Sequence, residues 1–180
     1  DDNGSLLQVT MNDKANNSLT AQTVYSIDTT APQIALSGLN QSDTIQYYND
    51  YITAQIAITE RNFADAMVNG TVSTDFQLDP DTRRDSADAT YVKTLVYDSD
   101  GRYSLDVTAT DLAGNPSANE IHTGTFVVDT VAPKASILVR EVGGKTIPIG
   151  KDTYVGSNTE VVVNIDELNF DPNSIQVTIN

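Results

Sequence analysis

Tyr103, Leu105, Val107 and Ala109 alternate with Ser104, Asp106, Thr108 and Thr110, which gives a strand one apolar and one polar face. Asp111-Leu-Ala-Gly-Asn115 interrupts the alternation with turn formers, and a second strand resumes over Thr123–Val128. Asp129-Thr-Val-Ala-Pro133 closes the pair, because proline has no amide hydrogen for a sheet ladder and restricts the residue before it. Ile52, Ala54, Ile56 and Ile58 form another alternating face. Through the middle of the chain the pattern predicts strands near Gln33–Leu36, Ile45–Tyr48, Ile52–Thr59, Met67–Ser73, Tyr91–Tyr97, Arg102–Thr110 and Thr123–Val128. No segment sustains a helical period.

The pattern repeats. Ile27-Asp-Thr-Thr-Ala-Pro32 and Val128-Asp-Thr-Val-Ala-Pro133 are near copies 101 residues apart. Leu7, Val9 and Met11, ending at Asp13, match Leu105, Val107 and Ala109, ending at Asp111. Ile58-Thr-Glu-Arg-Asn-Phe63 and Ile165-Asp-Glu-Leu-Asn-Phe170 match at an offset of 107, which places an insertion of about six residues around Val142-Gly-Gly-Lys145. Asn69-Gly70 ordinarily makes a hairpin turn. Its counterpart Gln176-Val177 reads as strand, so Met67–Ser73 is expected to stay extended.

About seven short strands per hundred residues, spaced by turn signals, predict an all-β fold of two-sheet sandwich modules. The expected division is residues 1–29 as the last strands of a preceding module, 30–129 as a complete one, and 130–180 as the first three strands of a following one. The incomplete parts are either an excerpt of a longer array or halves that complete each other between molecules, and the excerpt is the favoured reading.

The run Asp100-Gly-Arg-Tyr-Ser-Leu-Asp-Val-Thr-Ala-Thr-Asp-Leu-Ala-Gly-Asn115, the Val128–Pro133 junction and the Ile58–Phe63 segment resemble the bacterial immunoglobulin-like (Big-type) tandem repeats of large secreted or wall-anchored surface proteins and adhesins. The resemblance implies tandem immunoglobulin-like modules, a non-catalytic stalk or spacer role, and an extracellular location, secreted or at the bacterial cell surface. It leaves open an adhesive module that binds a host protein or glycan, or an accessory module of a large secreted enzyme. Neighbouring modules of the same chain are the implied partners. Tyr103 stands two residues before Leu105, where an antibody domain has its second cysteine, so it is expected to act as a tyrosine corner bonding a backbone group across its loop. Pro32 and Pro133 are the expected structural stops of the linkers. With no cysteine and no tryptophan, each module is expected to be held by aliphatic burial alone.

Composition narrows the chemistry. A net charge of −15, with ten Lys and Arg in no basic run, excludes phosphate-backbone recognition and disfavours an anionic membrane surface. No apolar run approaches the roughly 20 residues that span a bilayer. The absence of cysteine removes disulfides and thiolate chemistry.

His122, the single histidine, sits beside a turn and reads as a surface residue. Glu60 with Asp65 mimics a glycosidase pair only by composition, so no enzyme is expected. Lys134, a candidate for a Lys–Asn isopeptide bond, aligns with Gln33, so such a bond is not a property of the repeat. The Asn-x-Ser/Thr matches at Asn3, Asn16, Asn40 and Asn69 read as chance.

Calcium is the sharper expectation, since it takes six to eight carboxylate and carbonyl oxygens. In a seven-strand sandwich Glu60, Asn62, Asp111 and Asn115 should gather at one pole beside the junction residue Asp28. At the other pole Asp98 and Asp100 should approach Asp129, with Glu167 and Asn169 added by the next module. Turn chemistry alone also explains Asp, Asn and Gly at these places. For ligand binding, the polar loop Asp79–Asp88 and the aromatic residues Tyr47, Tyr48 and Tyr51 are the candidates.

Overall fold

Alternation governs the middle of the chain. Ile52, Ala54, Ile56 and Ile58 all point inward, and the last three are 0 % exposed. The intervening Thr53, Gln55 and Thr59 face out and Ala57 is half-buried. In a computed structural model, which describes residues 2–82, 88–148, 150 and 154–178, strands supply almost all the regular structure. The helical turn among the described residues is Pro172–Ser174. The chain divides into two compact units, Asp1–Thr130 and Val131–Asn180.

The first unit begins with an antiparallel hairpin, β1 (Asp2–Asn12) and β2 (Ser18–Ile27). A sandwich follows: β3 (Gln33–Ser37), β4 (Gln46–Tyr48), β5 (Ile52–Glu60), β6 (Phe63–Val68), β7 (Thr71–Ser73), β8 (Gln77–Leu78), β9 (Ala89–Tyr97), β10 (Gly101–Tyr103), β11 (Asp106–Asp111), β12 (Ile121–His122) and β13 (Phe126–Val128). One sheet has the order β3–β5–β9–β8, and the opposing strands are ordered β12–β11–β6–β7 and β10–β13–β4. With β10–β11 as one interrupted strand and β12–β13 as the next, this is the A-B-E-D and C′-C-F-G arrangement of an immunoglobulin-type sandwich. Between the sheets lie Ile34, Ile52, Ile56 and Ile58 from one side and Leu105, Val107, Ile121, Phe126 and Val128 from the other. Each such side chain contributes roughly 1.5–3 kcal/mol by leaving water.

The predicted strands Arg102–Thr110 and Thr123–Val128 are each broken. At the break the Thr123 amide donates to the Leu105 carbonyl at 3.0 Å, and the Leu105 amide donates to Thr123 Oγ1 at 2.9 Å. A buried hydroxyl therefore takes the place of a ladder carbonyl, and the strand pair bends without an orphaned amide. Gly124 lies in the same break at φ +65°, where a Cβ would sit 2.3 Å from the Ser42 carbonyl oxygen. Only glycine fits there.

Two expectations are corrected. Asn69-Gly70 is a hairpin turn: Val68 pairs with Thr71, and the two turn residues have φ of 49° and 74°, the left-handed pair of a type I′ turn. Local turn chemistry prevails, and the counterpart Gln176-Val177 is not in a strand either. Asn69 also fastens the turn down, accepting from the Asp106 amide at 2.8 Å and donating to the Ser104 carbonyl at 3.2 Å. Nor does aliphatic burial hold the core alone. Phe126 packs edge-on against Tyr97 at 4.9 Å and Tyr48 at 6.3 Å and stacks on Tyr103 at 5.7 Å, while Phe63 contacts Phe76 and Tyr91. Such pairs contribute about 0.5–1.5 kcal/mol each beyond area burial.

In the second unit β14 (Lys134–Glu141) pairs with both β15 (Thr146–Ile147) and β16 (Thr159–Asp166). These are three strands, and among the described residues no further strand forms after Asp166. The register of β14 with β16 repeats that of β3 with β5. Gln33 faces Thr59, Ile34 faces Ile58 and Leu36 faces Ile56; correspondingly Lys134 faces Asp166, Ala135 faces Ile165 and Ile137 faces Val163. Lys134 and Gln33 thus occupy equivalent first-strand positions.

Candidate metal centre at the linker pole

Three carboxylates converge where the linker meets the sandwich. Asp28 follows β2, Glu60 ends β5 and Asp111 ends β11, and one carboxylate oxygen from each lies within 4.8 Å of the other two. Glu60 is 2 % exposed and Asp111 3 %, with Asp28 half-buried. The two strand ends arrive together because both alternating faces point into the same core, which leaves their terminal acids at one rim.

Asparagines hold the carboxylates. Asn62 donates its amide hydrogen to Glu60 Oε1 at 2.9 Å and its side-chain NH2 to Asp28 Oδ2 at 2.5 Å. Asn115 donates from its backbone to Asp111 Oδ1 at 2.8 Å, and from its side chain to Asp111 Oδ2 at 2.7 Å and the Asp28 carbonyl at 3.0 Å. The Leu112 amide donates to the Asn62 carbonyl at 2.8 Å and ties the two loops together. Burial pushes the Asp111 carboxyl up, but the hydrogen bonds from Asn115, Ala113 and Gly114 outweigh it and hold the group below the usual carboxylate range. None of the three acids belongs to an ion pair with Lys, Arg or His formed among the described residues.

The donor set suits a hard cation. It is oxygen only, and Asn62 Oδ1 stands beside it, accepting at 2.8 Å from Asn3 of the hairpin. Calcium–oxygen bonds are about 2.4 Å long, so three oxygens no more than 4.8 Å apart are close enough for one ion to reach all of them.

The pole motif occurs more than once. Asp13-Lys-Ala-Asn-Asn17 folds like Asp111-Leu-Ala-Gly-Asn115: Asp13 Oδ1 accepts from the Ala15 and Asn17 amides at 2.8 and 2.9 Å, and Asp13 Oδ2 accepts from Asn17 Nδ2 at 2.7 Å. In the Asp111 turn the matching bonds to Ala113 and Asn115 are 2.9, 2.8 and 2.7 Å. The fourth turn residue is left-handed in both, Asn16 at φ 66° and Gly114 at 86°. Likewise the Asn169 amide donates to Glu167 Oε1 at 2.8 Å, as Asn62 does to Glu60. The roles of Asn17 and Asn3 were missed. Asn17 was legible as the fifth position of the repeated turn, while Asn3 reaches Asn62 across a separation no local pattern signals.

The other candidates fall elsewhere. Asp100 Oδ1 accepts from the Thr130 amide and hydroxyl at 3.0 and 2.9 Å, Asp98 accepts from Ser99 at 3.5 Å, and the Asp129 amide donates to the Tyr48 carbonyl at 2.9 Å. None of these acids is in a converging group of three among the described residues. Tyr103 donates its hydroxyl to the Ser99 carbonyl at 2.9 Å, across its loop. Pro32 is buried and its carbonyl accepts from the Ala118 amide at 2.9 Å, whereas Pro133 is exposed. His122 Nδ1 contacts Asp106 on open surface, and Asp65 lies in β6 opposite Thr110. Tyr47 and Tyr51 are exposed, and residues 83–87 of the Asp79–Asp88 loop lie outside the described residues.

No protein-family model matches the chain, and a search of the curated proteins finds no match. No helix among the described residues is long and apolar enough to cross a membrane.

Proposed function

We propose that this chain is a non-catalytic spacer of a bacterial surface protein or adhesin, built of immunoglobulin-like repeats whose junctions are clamped and bind calcium. The clamp at Asp28 is the observation that carries this reading. A free linker lets neighbouring sandwiches swing. Here the linker residue is held by Asn62 through its carboxylate and by Asn115 through its carbonyl, and Pro32 four residues on is buried against the body. Fixing both ends of so short a connector leaves little room for bending. A cation shared by Asp28, Glu60 and Asp111 would bind linker and body together while neutralising three clustered negative charges.

The recurrence of the Asp turn, the Glu–Asn contact and the first-strand register supports an array in which each unit presents the same pole to its predecessor. A calcium titration followed by thermal melting and small-angle scattering tests the proposal. A higher melting temperature and a narrower distribution of particle shapes are expected. No change in either on adding calcium rejects the ion. Scattering unaltered by Pro32→Gly together with Pro133→Gly rejects the stiff linker.

A further inference from the structure

Among the described residues one strand pair is parallel, and it joins the first part of the sandwich to the last. β4 meets β13 with Gln46 beside Phe126, Tyr47 beside Val127 and Tyr48 beside Val128, whereas the other ladders are antiparallel. Backbone bonds run along and beyond the pair. The Ser42 amide donates to the Thr123 carbonyl at 3.4 Å, the Gln46 amide to the Thr125 carbonyl at 3.3 Å, and the Asp129 amide to the Tyr48 carbonyl at 2.9 Å. The pair is also dry: Phe126 and Val128 are 1 % exposed, Val127 is 3 % exposed, and Tyr48 packs edge-on against Phe126. Water cannot replace a stretched bond there until the strands have parted, and a buried group left without a partner is costly.

Strand directions fix how tension would act on this pair. The chain enters at the pole of Asp28, Glu60 and Asp111. β11 ends at that pole, and β13 continues β12, which is antiparallel to β11, so β13 runs away from it and delivers the chain to Asp129 at the opposite end. β4, being parallel to β13, runs the same way. A pull on the two linkers therefore draws β4 back toward the entry pole and β13 toward the exit. The strands must slide past each other along their own axes, which loads all the bonds between them at once. β3 is sheared in the same sense, because Gln33 lies opposite Thr59 at the entry pole. Its outer edge is fastened too. The Asn119 side chain acts as a peptide group, accepting from the Ile34 amide at 2.9 Å and donating to the Ile34 carbonyl at 2.7 Å, and the Ala118 amide donates to the Pro32 carbonyl at 2.9 Å.

We propose that the sandwich of residues 30–129 is built to carry tension from linker to linker, with the β4–β13 pair as the clamp that must shear before the module opens. The clamp is a property of this fold, while its use rests on the spacer reading, since a spacer under load is what would pull on both linkers.

Single-molecule stretching of the whole 180-residue chain tests it. Forced unfolding follows the barrier to unfolding rather than the equilibrium stability, so force and melting temperature can move separately. Held by its two ends, the chain should open the sandwich in one event that frees about 100 residues, roughly 330–360 Å of extended chain less the folded span. The chain has no cysteine, so Ser99→Cys supplies a unique second handle in the exposed loop before β10. Pulled between that handle and the C terminus, β13 peels from one end, bond by bond, and should yield at several-fold lower force while freeing only about 30 residues, roughly 100 Å. Gln46→Pro removes the donor to Thr125 and should lower the end-to-end force more than Val107→Ala does, even where Val107→Ala lowers the melting temperature as much or more. Equal forces in the two pulling directions overturn the clamp, as does a force that tracks melting temperature across both variants. The comparison of directions needs no change in the clamp itself, so it decides the matter even if Gln46→Pro does not fold. A chain that shows the clamp but neither calcium response nor stiff linkers would refute the spacer reading and leave the clamp standing.

Discussion

Replacing Asn115 by alanine isolates the clamp, because the same turn occurs twice in different surroundings. Asn115 gives one side-chain hydrogen bond to the carboxylate of Asp111 and one to the carbonyl of Asp28. A bond to a charged group is worth about 1.5–3 kcal/mol and a neutral one about 0.5–1.5 kcal/mol. Asn115 is half-buried, so water recovers part of this, and a loss of about 2 kcal/mol is expected. For a sandwich of about 100 residues that corresponds to a fall of about 8–16 °C in melting temperature. Asn17 makes the same bond to Asp13 on an exposed turn, and Asn17→Ala should cost less than about 0.5 kcal/mol. Calorimetry on both variants decides. Equal effects, or an Asn115→Ala shift under about 2 °C, would show that the turn is only a turn.

Further outcomes follow from other contacts. Tyr103→Phe removes the bond to the Ser99 carbonyl but leaves the ring against Phe126, and chemical denaturation should register a loss of about 1 kcal/mol; a loss near zero would mean that the hydroxyl is equally well solvated unfolded. Val107→Ala should destabilise by about 1–3 kcal/mol, whereas Val9→Ala at the matching hairpin position should leave the sandwich transition in place. Asp75 is held down to about 2 by hydrogen bonds from Lys93 and Ser73. Its folded value lies below the unfolded one near 3.9, so its contribution is complete above about pH 4 and is lost as pH falls toward about 2. Asp111 and Asp13 are shifted in the same direction. Asp75→Asn should therefore flatten the stability profile between about pH 4 and 2, and an unchanged slope there would contradict the assignment.

Much of the sandwich was legible because its strands are half-buried: Ile52 to Ile58 and Leu105 to Ala109 each announce an inward face by alternation alone. Breaks within strands were not. Nothing in the run Arg102–Thr110 signals that Thr123 will substitute its hydroxyl for a backbone partner, since that bond joins residues 18 apart in sequence. Asn69-Gly70 was misjudged by giving a distant repeat more weight than the left-handed preference of the two residues present. At the pole, the gathering of Asp28, Glu60 and Asp111 followed from strand count and topology. The aromatic packing around Phe126 was hidden because Tyr48, Tyr97 and Tyr103 come from three separate strands whose proximity only the folded sheets create.

Cutting the chain within its two Asp-Thr-x-Ala-Pro junctions gives the most direct test of the repeating sandwich. Residues 30–129 alone, unfolded in urea, should show one cooperative transition with a slope of about 1–3 kcal/mol per molar, as expected for a small domain that buries its own core. A broad, non-cooperative loss of structure, or a midpoint that appears only when residues 1–29 or 130–180 are restored, would show that the hundred-residue sandwich is not a unit.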